Sequence, residues 1–223
     1  MIPVAFELDD STVESELESR VGPAGKWTQA RNAQLKLLSR LGLEPHMSLV
    51  DVGCGPLRAG LQLIAYLEKG CYTGIDIDPG SIQAAKELIK KYDLTSKDPT
   101  VLHSATFGQN ELKKTAFADR IWCYQVMIHM SKGIVLDCLE SMSKMLKPGG
   151  IAWTTARVRE GGTTFDVTGK WRTFPISEGG SEFFAGAAAD VGLKYKKLEW
   201  GNERGFSSEG STAVKTLIEF TKL

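Results

Sequence analysis

The stretch that most limits what this chain can fold into is Leu49-Val50-Asp51-Val52-Gly53-Cys54-Gly55-Pro56-Leu57-Arg58-Ala59-Gly60. Leu49, Val50 and Val52 are the apolar and β-branched residues of a short strand. Gly53 and Gly55 carry no β-carbon, so the backbone there turns sharply and lets a ligand come close. The helix predicted after them offers free N–H groups and a partial positive charge to whatever lies over the turn. A strand, a glycine turn and a helix in this order are the opening of a parallel α/β sheet that seats a nucleotide-like ligand.

Two details of the loop bear on which ligand. The dinucleotide fingerprint G-x-G-x-x-G is met at Gly53 and Gly55, but its third glycine is replaced by Arg58. Pro56 removes an N–H donor from the place where a pyrophosphate needs one. The stretch instead resembles motif I of the class I S-adenosylmethionine (SAM) methyltransferases, an acid followed by x-G-x-G, with Asp51 as the acid. Where that family often has a further glycine, this chain has Leu57. A second strand, Tyr72-Thr73-Gly74-Ile75-Asp76-Ile77-Asp78, ends in acids about two dozen residues on. An acid at the end of a second strand can accept hydrogen bonds from both ribose hydroxyls. The resemblance gives Asp76 that role. NAD sites use such an acid too, so Asp76 alone does not choose between the cofactors.

The remaining elements follow the same alternation. Helices are predicted over 11–20, 28–41, 57–67, 79–92, 130–145 and 181–191, from apolar positions at helical spacing. Further strands are expected at 100–103, 119–124 and 151–157. Two more, at 193–200 and 213–220, are joined by a dozen polar residues and suit an antiparallel pair. Leu146-Lys147-Pro148-Gly149-Gly150 ends a helix and turns into a strand, a recurrent feature of the resembled family. The expected class is α/β: a doubly wound, mostly parallel seven-stranded sheet with helices on both faces and a C-terminal antiparallel hairpin. We expect one methyltransferase domain over 1–223. It comprises an N-terminal helical cap (1–45), a cofactor-binding core (46–157), an acceptor loop or lid (158–180), and a C-terminal helix and hairpin (181–223).

The resemblance implies SAM as cofactor, S-adenosylhomocysteine (SAH) as product and a small-molecule acceptor. On it, cofactor contacts are expected from Asp51, Gly53, Cys54 and Gly55 in the loop and from Asp76 and Ile77 after the second strand. Ala105 lies in the loop past the adenine, and Tyr124 and Gln125 where the fourth strand ends. His129 is the histidine placed for general-base work, since imidazole titrates near neutrality. Trp27 and Arg31 on the N-terminal helix are candidates for the acceptor. So are Arg157, Trp171 and Arg172 along the long loop, where arginines suit an anionic acceptor and a tryptophan a flat one.

Composition narrows the partners. Lys plus Arg and Asp plus Glu are 27 each, for zero formal net charge. A chain that grips a nucleic-acid backbone usually carries a basic excess. No Asn-Pro-Pro-Tyr-like segment follows the fourth strand. No apolar run reaches the length of a membrane span, and the first ten residues do not read as a signal peptide. The four cysteines are scattered without a C-x-x-C pair, and read as reduced residues of a cytoplasmic protein. His46, His103 and His129 lack partners at metal-ligand spacing. The acceptor atom and the oligomeric state have no sequence signal. An NAD-linked oxidoreductase and a non-catalytic SAM-binding module are the alternatives to a methyltransferase.

Overall fold

Strand β1 (Leu49–Val52) is buried along its whole length, as a strand covered on both faces must be. The computed structural model of the chain describes residues 1–22, 24–159, 178–199 and 214–223. Its contacts divide the chain into two units, Met1–Glu111 and Leu112–Leu223.

The first unit holds α1 (Ser15–Ser19), α2 (Trp27–Arg40), β1, α3 (Gly60–Tyr66), β2 (Tyr72–Asp76), α4 (Pro79–Lys91) and β3 (Thr100–His103). β1 pairs in parallel with β2, and β2 with β3, so the strand order is β3-β2-β1. The connections are helical crossovers, as parallel pairing requires. Helix α4 starts at Pro79, where a missing N–H costs nothing, and Asp78 caps it by accepting from the N–H groups of Gly80 and Ser81.

Two predicted helices are shorter than the pattern suggests. The segment 11–20 becomes helical only at Ser15. Upstream, the Asp9 carboxylate accepts from the N–H groups of Ser11 and Thr12 and holds a turn in place of a helix start. The first crossover helix begins at Gly60 rather than Leu57, because Leu57 has a left-handed backbone (φ 62°) that no helix can include.

A four-residue turn of helix, α5 (Gln109–Leu112), leads into the second unit. There follow β4 (Ala118–Cys123), α6 (Lys132–Met145), β5 (Leu146–Val158), β6 (Glu178–Gly179), α7 (Ser181–Asp190), β7 (Leu193–Leu198) and β8 (Val214–Lys222). β4 and β5 are parallel; β8 lies between β5 and β7 and is antiparallel to both. The Lys147-Pro148-Gly149-Gly150 turn is drawn into the start of β5. Ala118 faces Leu146 but Arg120 faces Ile151, so the extra residues are absorbed as an irregularity in the ladder. Among the described residues the strands are thus mostly parallel, seven of them longer than two residues, and the last pair is antiparallel, as expected. Trp122, Trp153, Phe184 and Phe220 fill the core of this unit.

Candidate active site

In the first unit the glycine loop is closed by its own hydrogen bonds. The N–H groups of Gly53 and Cys54 both donate to the Ile75 carbonyl, at 2.7 and 3.1 Å. The Gly55 N–H donates to Asp76 Oδ2 at 2.8 Å. Pro56 has no N–H, and that of Leu57 donates to the Cys54 carbonyl. From Gly53 to Leu57 no backbone donor is left to cradle a pyrophosphate, and a carboxylate stands where one would have to sit. Gly53 and Gly55 both have positive φ, 73° and 54°, which is the reason for glycine at these two places.

The two acids are placed by strands β1 and β2. Asp51 is buried and accepts a hydrogen bond from the Tyr72 hydroxyl at 2.8 Å. Residue 74, opposite Asp51 in the ladder, is glycine, and the space a side chain would take is filled by Cys54 and the Tyr72 ring. Burial pushes the Asp51 carboxyl up to about 7; the charge of Asp76 adds to this and the Tyr72 hydrogen bond opposes it. Asp76 is also raised by burial, while the N–H groups of Asp78 and Gly55 hold it down. Its two oxygens accept from these separate donors, Oδ1 from Asp78 and Oδ2 from Gly55. Each oxygen keeps acceptor capacity for a ligand hydroxyl. Burial raises the Cys54 thiol well above its ordinary range, so that side chain is a packing group and not a nucleophile.

The loop after β3 is arranged by Ser104. Its N–H donates to the Asp76 carbonyl, and its hydroxyl accepts from the N–H groups of Thr106 and Gly108. This leaves Ala105 exposed and buries Phe107. The Ile77 carbonyl lies 3.0 Å from His103 Nε2. Trp27 is buried at the start of α2. Arg31, also buried, donates through Nη1 to the Leu8 carbonyl at 2.7 Å and through Nε to Asn32. Its guanidinium ties down the N-terminal segment.

In the second unit Tyr124, Gln125 and His129 are brought together on the turn that follows β4. Tyr124 stacks on Trp122 with ring centroids 5.4 Å apart. Gln125 has a left-handed backbone (φ 59°), and its N–H donates to Thr155 Oγ1 at 2.6 Å. Its side-chain Nε2 is shielded from solvent and has no hydrogen-bond partner among the described residues. His129 closes a short 3-10 turn, Met127–His129. Arg157, near the end of β5, pairs with Glu178 at 3.6 Å. Trp171 and Arg172 lie outside the described residues, as does most of the expected lid.

A family model described as a methyltransferase domain matches residues 50–152. This match runs from β1, through the glycine loop and Asp76, into β5. The match covers just under half of the chain. A probable methyltransferase of Aspergillus luteorubrus is 28% identical over 118 residues, half of this chain. The aligned part is 40% of that protein, so the chain matches well under half the length of this relative. Among solved structures, a [4+2]-cyclase, SpnF, is similar with a TM-score of 0.61 at 20% identity, covering 83% of this chain and 66% of that one. Magnesium protoporphyrin IX methyltransferase of Synechocystis, solved with SAH bound, has a TM-score of 0.61 at 12% identity, covering 95% of this chain and 89% of that one. These likenesses show the fold, mostly parallel α/β with antiparallel C-terminal strands.

Tyr72, Ser104 and Thr155 were not among the residues singled out from sequence. Tyr72 is the one with a readable signal: it lies on the same strand face as Gly74 and Asp76, two and four residues before them.

Proposed function

We propose that this chain transfers a methyl group from SAM to a small-molecule acceptor. The observation that carries this reading is the glycine loop, whose backbone donors are spent internally while a buried carboxylate, Asp51, and a half-buried one, Asp76, lie beside it. A dinucleotide needs N–H donors for its phosphates. SAM has no phosphate, and its ammonium and ribose hydroxyls are donors that carboxylates accept. Asp51 would meet the ammonium side and Asp76 the ribose, with Gly53, Cys54, Gly55, Ile77 and Ala105 forming the wall.

When bound, SAM supplies a methyl already activated on a sulfonium, so the protein's work is chiefly positioning and electrostatics. Asp51 and Asp76 orient. Tyr124 and Gln125 shape the acceptor side, and Gln125 brings a buried amide donor with no internal partner among the described residues. His129 takes the acceptor's proton where the acceptor has one to lose. Trp27, Trp171 and Arg172 are proposed acceptor contacts, and Arg31 and Arg157 are proposed to position the acceptor side. Arg31 and Arg157 already hold internal partners, so they act through the segments they fix.

The likeness to a cyclase favours a second reading, a SAM-binding protein that does not transfer methyl. Incubation with methyl-labelled SAM and a metabolite pool separates the two. Label moving to an organic product supports transfer. Tight SAM binding with no label moved, across pools of acidic, phenolic and amine acceptors, overturns it.

A further inference from the structure

The segment before α2 lies against the cofactor loop, and its attachments are polar. Arg20 Nη1 donates to Asp78 Oδ2 at 2.6 Å, on the turn two residues past Asp76. Arg20 Nη2 also donates to Glu16 on α1 at 3.0 Å. Arg58 Nη1 donates to the Val21 carbonyl at 2.8 Å. Arg58 is the residue that stands where a dinucleotide fingerprint has its third glycine. Val21 covers Gly55: a β-carbon built on Gly55 would lie 3.1 Å from Val21 Cγ1. One on Gly80 would fall on the Arg20 guanidinium, so that group lies against the first turn of α4.

What holds this segment is unlike what holds the strands beneath it. Helix α1 has five residues and buries none of them. A helix that short does not persist alone in water. Segments with few buried contacts and solvent-exposed bonds open at low free energy. Two arginines therefore fasten a weakly packed segment across the loop that carries Gly55 and beside the turn that carries Asp76.

We propose that residues 14–22 are a strap over the cofactor seat, latched by Arg20 to Asp78 and by Arg58 to Val21, and that cofactor exchange requires the latch to open. The proposal rests on the SAM reading above. Binding and release of SAH, followed by stopped-flow tryptophan fluorescence, test it without any acceptor. Arg20→Met removes the latch, and Asp78→Asn removes its other half while keeping a residue able to cap α4. Both variants are expected to raise the association and dissociation rates together by about two- to fivefold, the range of a partly exposed ion pair. The double variant is expected to be no faster than either single one, because both break one contact. Raising NaCl from about 0.05 M to about 0.5 M should speed the wild type more than Arg20→Met, which keeps the longer Glu14–Lys91 pair at 4.0 Å. Arg58→Met gives the same readout at the second latch should either variant melt early. Unchanged SAH rates in folded variants overturn the strap and leave the cofactor reading intact. Failure of the wild type to bind SAH by calorimetry overturns both.

Discussion

Leu57 and Gln125 have the same unusual backbone, φ near +60° in a residue with a β-carbon, yet the two places use it differently. Such a conformation costs on the order of 1 kcal/mol and persists only where the surroundings impose it. At Leu57 the surroundings are apolar. The side chain is fully buried, and a β-carbon on Gly60 would strike it and the Tyr72 hydroxyl. Burial offsets the strain, and the loop keeps its shape without the glycine common in the resembled family. At Gln125 the backbone N–H donates to Thr155, and the side-chain Nε2 is left without a partner among the described residues. The first region is closed by packing and its own hydrogen bonds; the second leaves a shielded donor, Gln125 Nε2, without a partner among the described residues. Under the proposed SAM chemistry, the first region serves the cofactor and the second selects the acceptor.

The largest effect expected from this contrast lies in the first region and depends on pH. Asp51 has a native carboxyl near 7 against an ordinary value near 4, so the folded state binds its proton more tightly than the unfolded state does. Its contribution to stability is therefore full below about pH 4, falls as pH rises towards 7, and is flat above. The whole fall is roughly 4 kcal/mol for a shift of about three pH units. Asp51→Asn should remove this slope in urea melts run from pH 5 to pH 8, and raise stability at pH 8. The same variant should weaken SAM, since an amide gives the ammonium no charge. A slope unchanged by Asp51→Asn would mean that another buried group, Asp76 first, carries it.

Leu57 comes next. Leu57→Ala should cost about 2–5 kcal/mol in urea unfolding, as for other buried leucines. Leu57→Gly should be no worse than Leu57→Ala, and milder by about 1 kcal/mol, because glycine relieves the left-handed strain. This reverses the usual order, in which glycine is the more damaging. The usual order at this position would show that the loop is not strained there.

In the second region Thr155→Val removes the acceptor of the Gln125 N–H at nearly constant shape. The orphaned donor should cost about 1–3 kcal/mol. The smallest effect is expected for Gln125→Gly, which relieves strain and removes a buried amide, and should stabilise the protein by up to about 1 kcal/mol. A gain in melting temperature together with a loss of acceptor turnover is the signature of a residue kept for function. A loss of stability would instead give Gln125 a structural role.

The same residues mark what the sequence could show. Elements with strong periodicity, α2, α4 and α6, lie within two residues of their predicted ends, because burial of one face decides them locally, with a capping side chain besides at α4 (Asp78) and α6 (Ser131). The glycine loop and Asp76 were legible because their order along the chain is itself the motif. For Tyr72 only the shared strand face with Asp76 was legible; its bond to Asp51 depends on the β1–β2 register. The start of α3 was not legible either, because Leu57 reads as a helix former and only packing forces it left-handed. The pairing of Arg20 with Asp78 spans 58 residues, and no local pattern announces it. Asp9 could have been read as a competing turn former, since a carboxylate two residues before Ser11 accepts its N–H as readily as Ser11 caps a helix.

Seating of SAM through Asp76, and not of a dinucleotide through backbone donors, is the point on which the proposed chemistry stands. Isothermal titration of the wild type and of Asp76→Ala with SAM, SAH and NAD tests it most directly. Heat is expected with SAM and SAH and none with NAD. The variant should lose about a hundredfold or more in affinity, on the order of 2.7 kcal/mol. Binding of NAD by the wild type, or SAM affinity unchanged by Asp76→Ala in a folded variant, would contradict it.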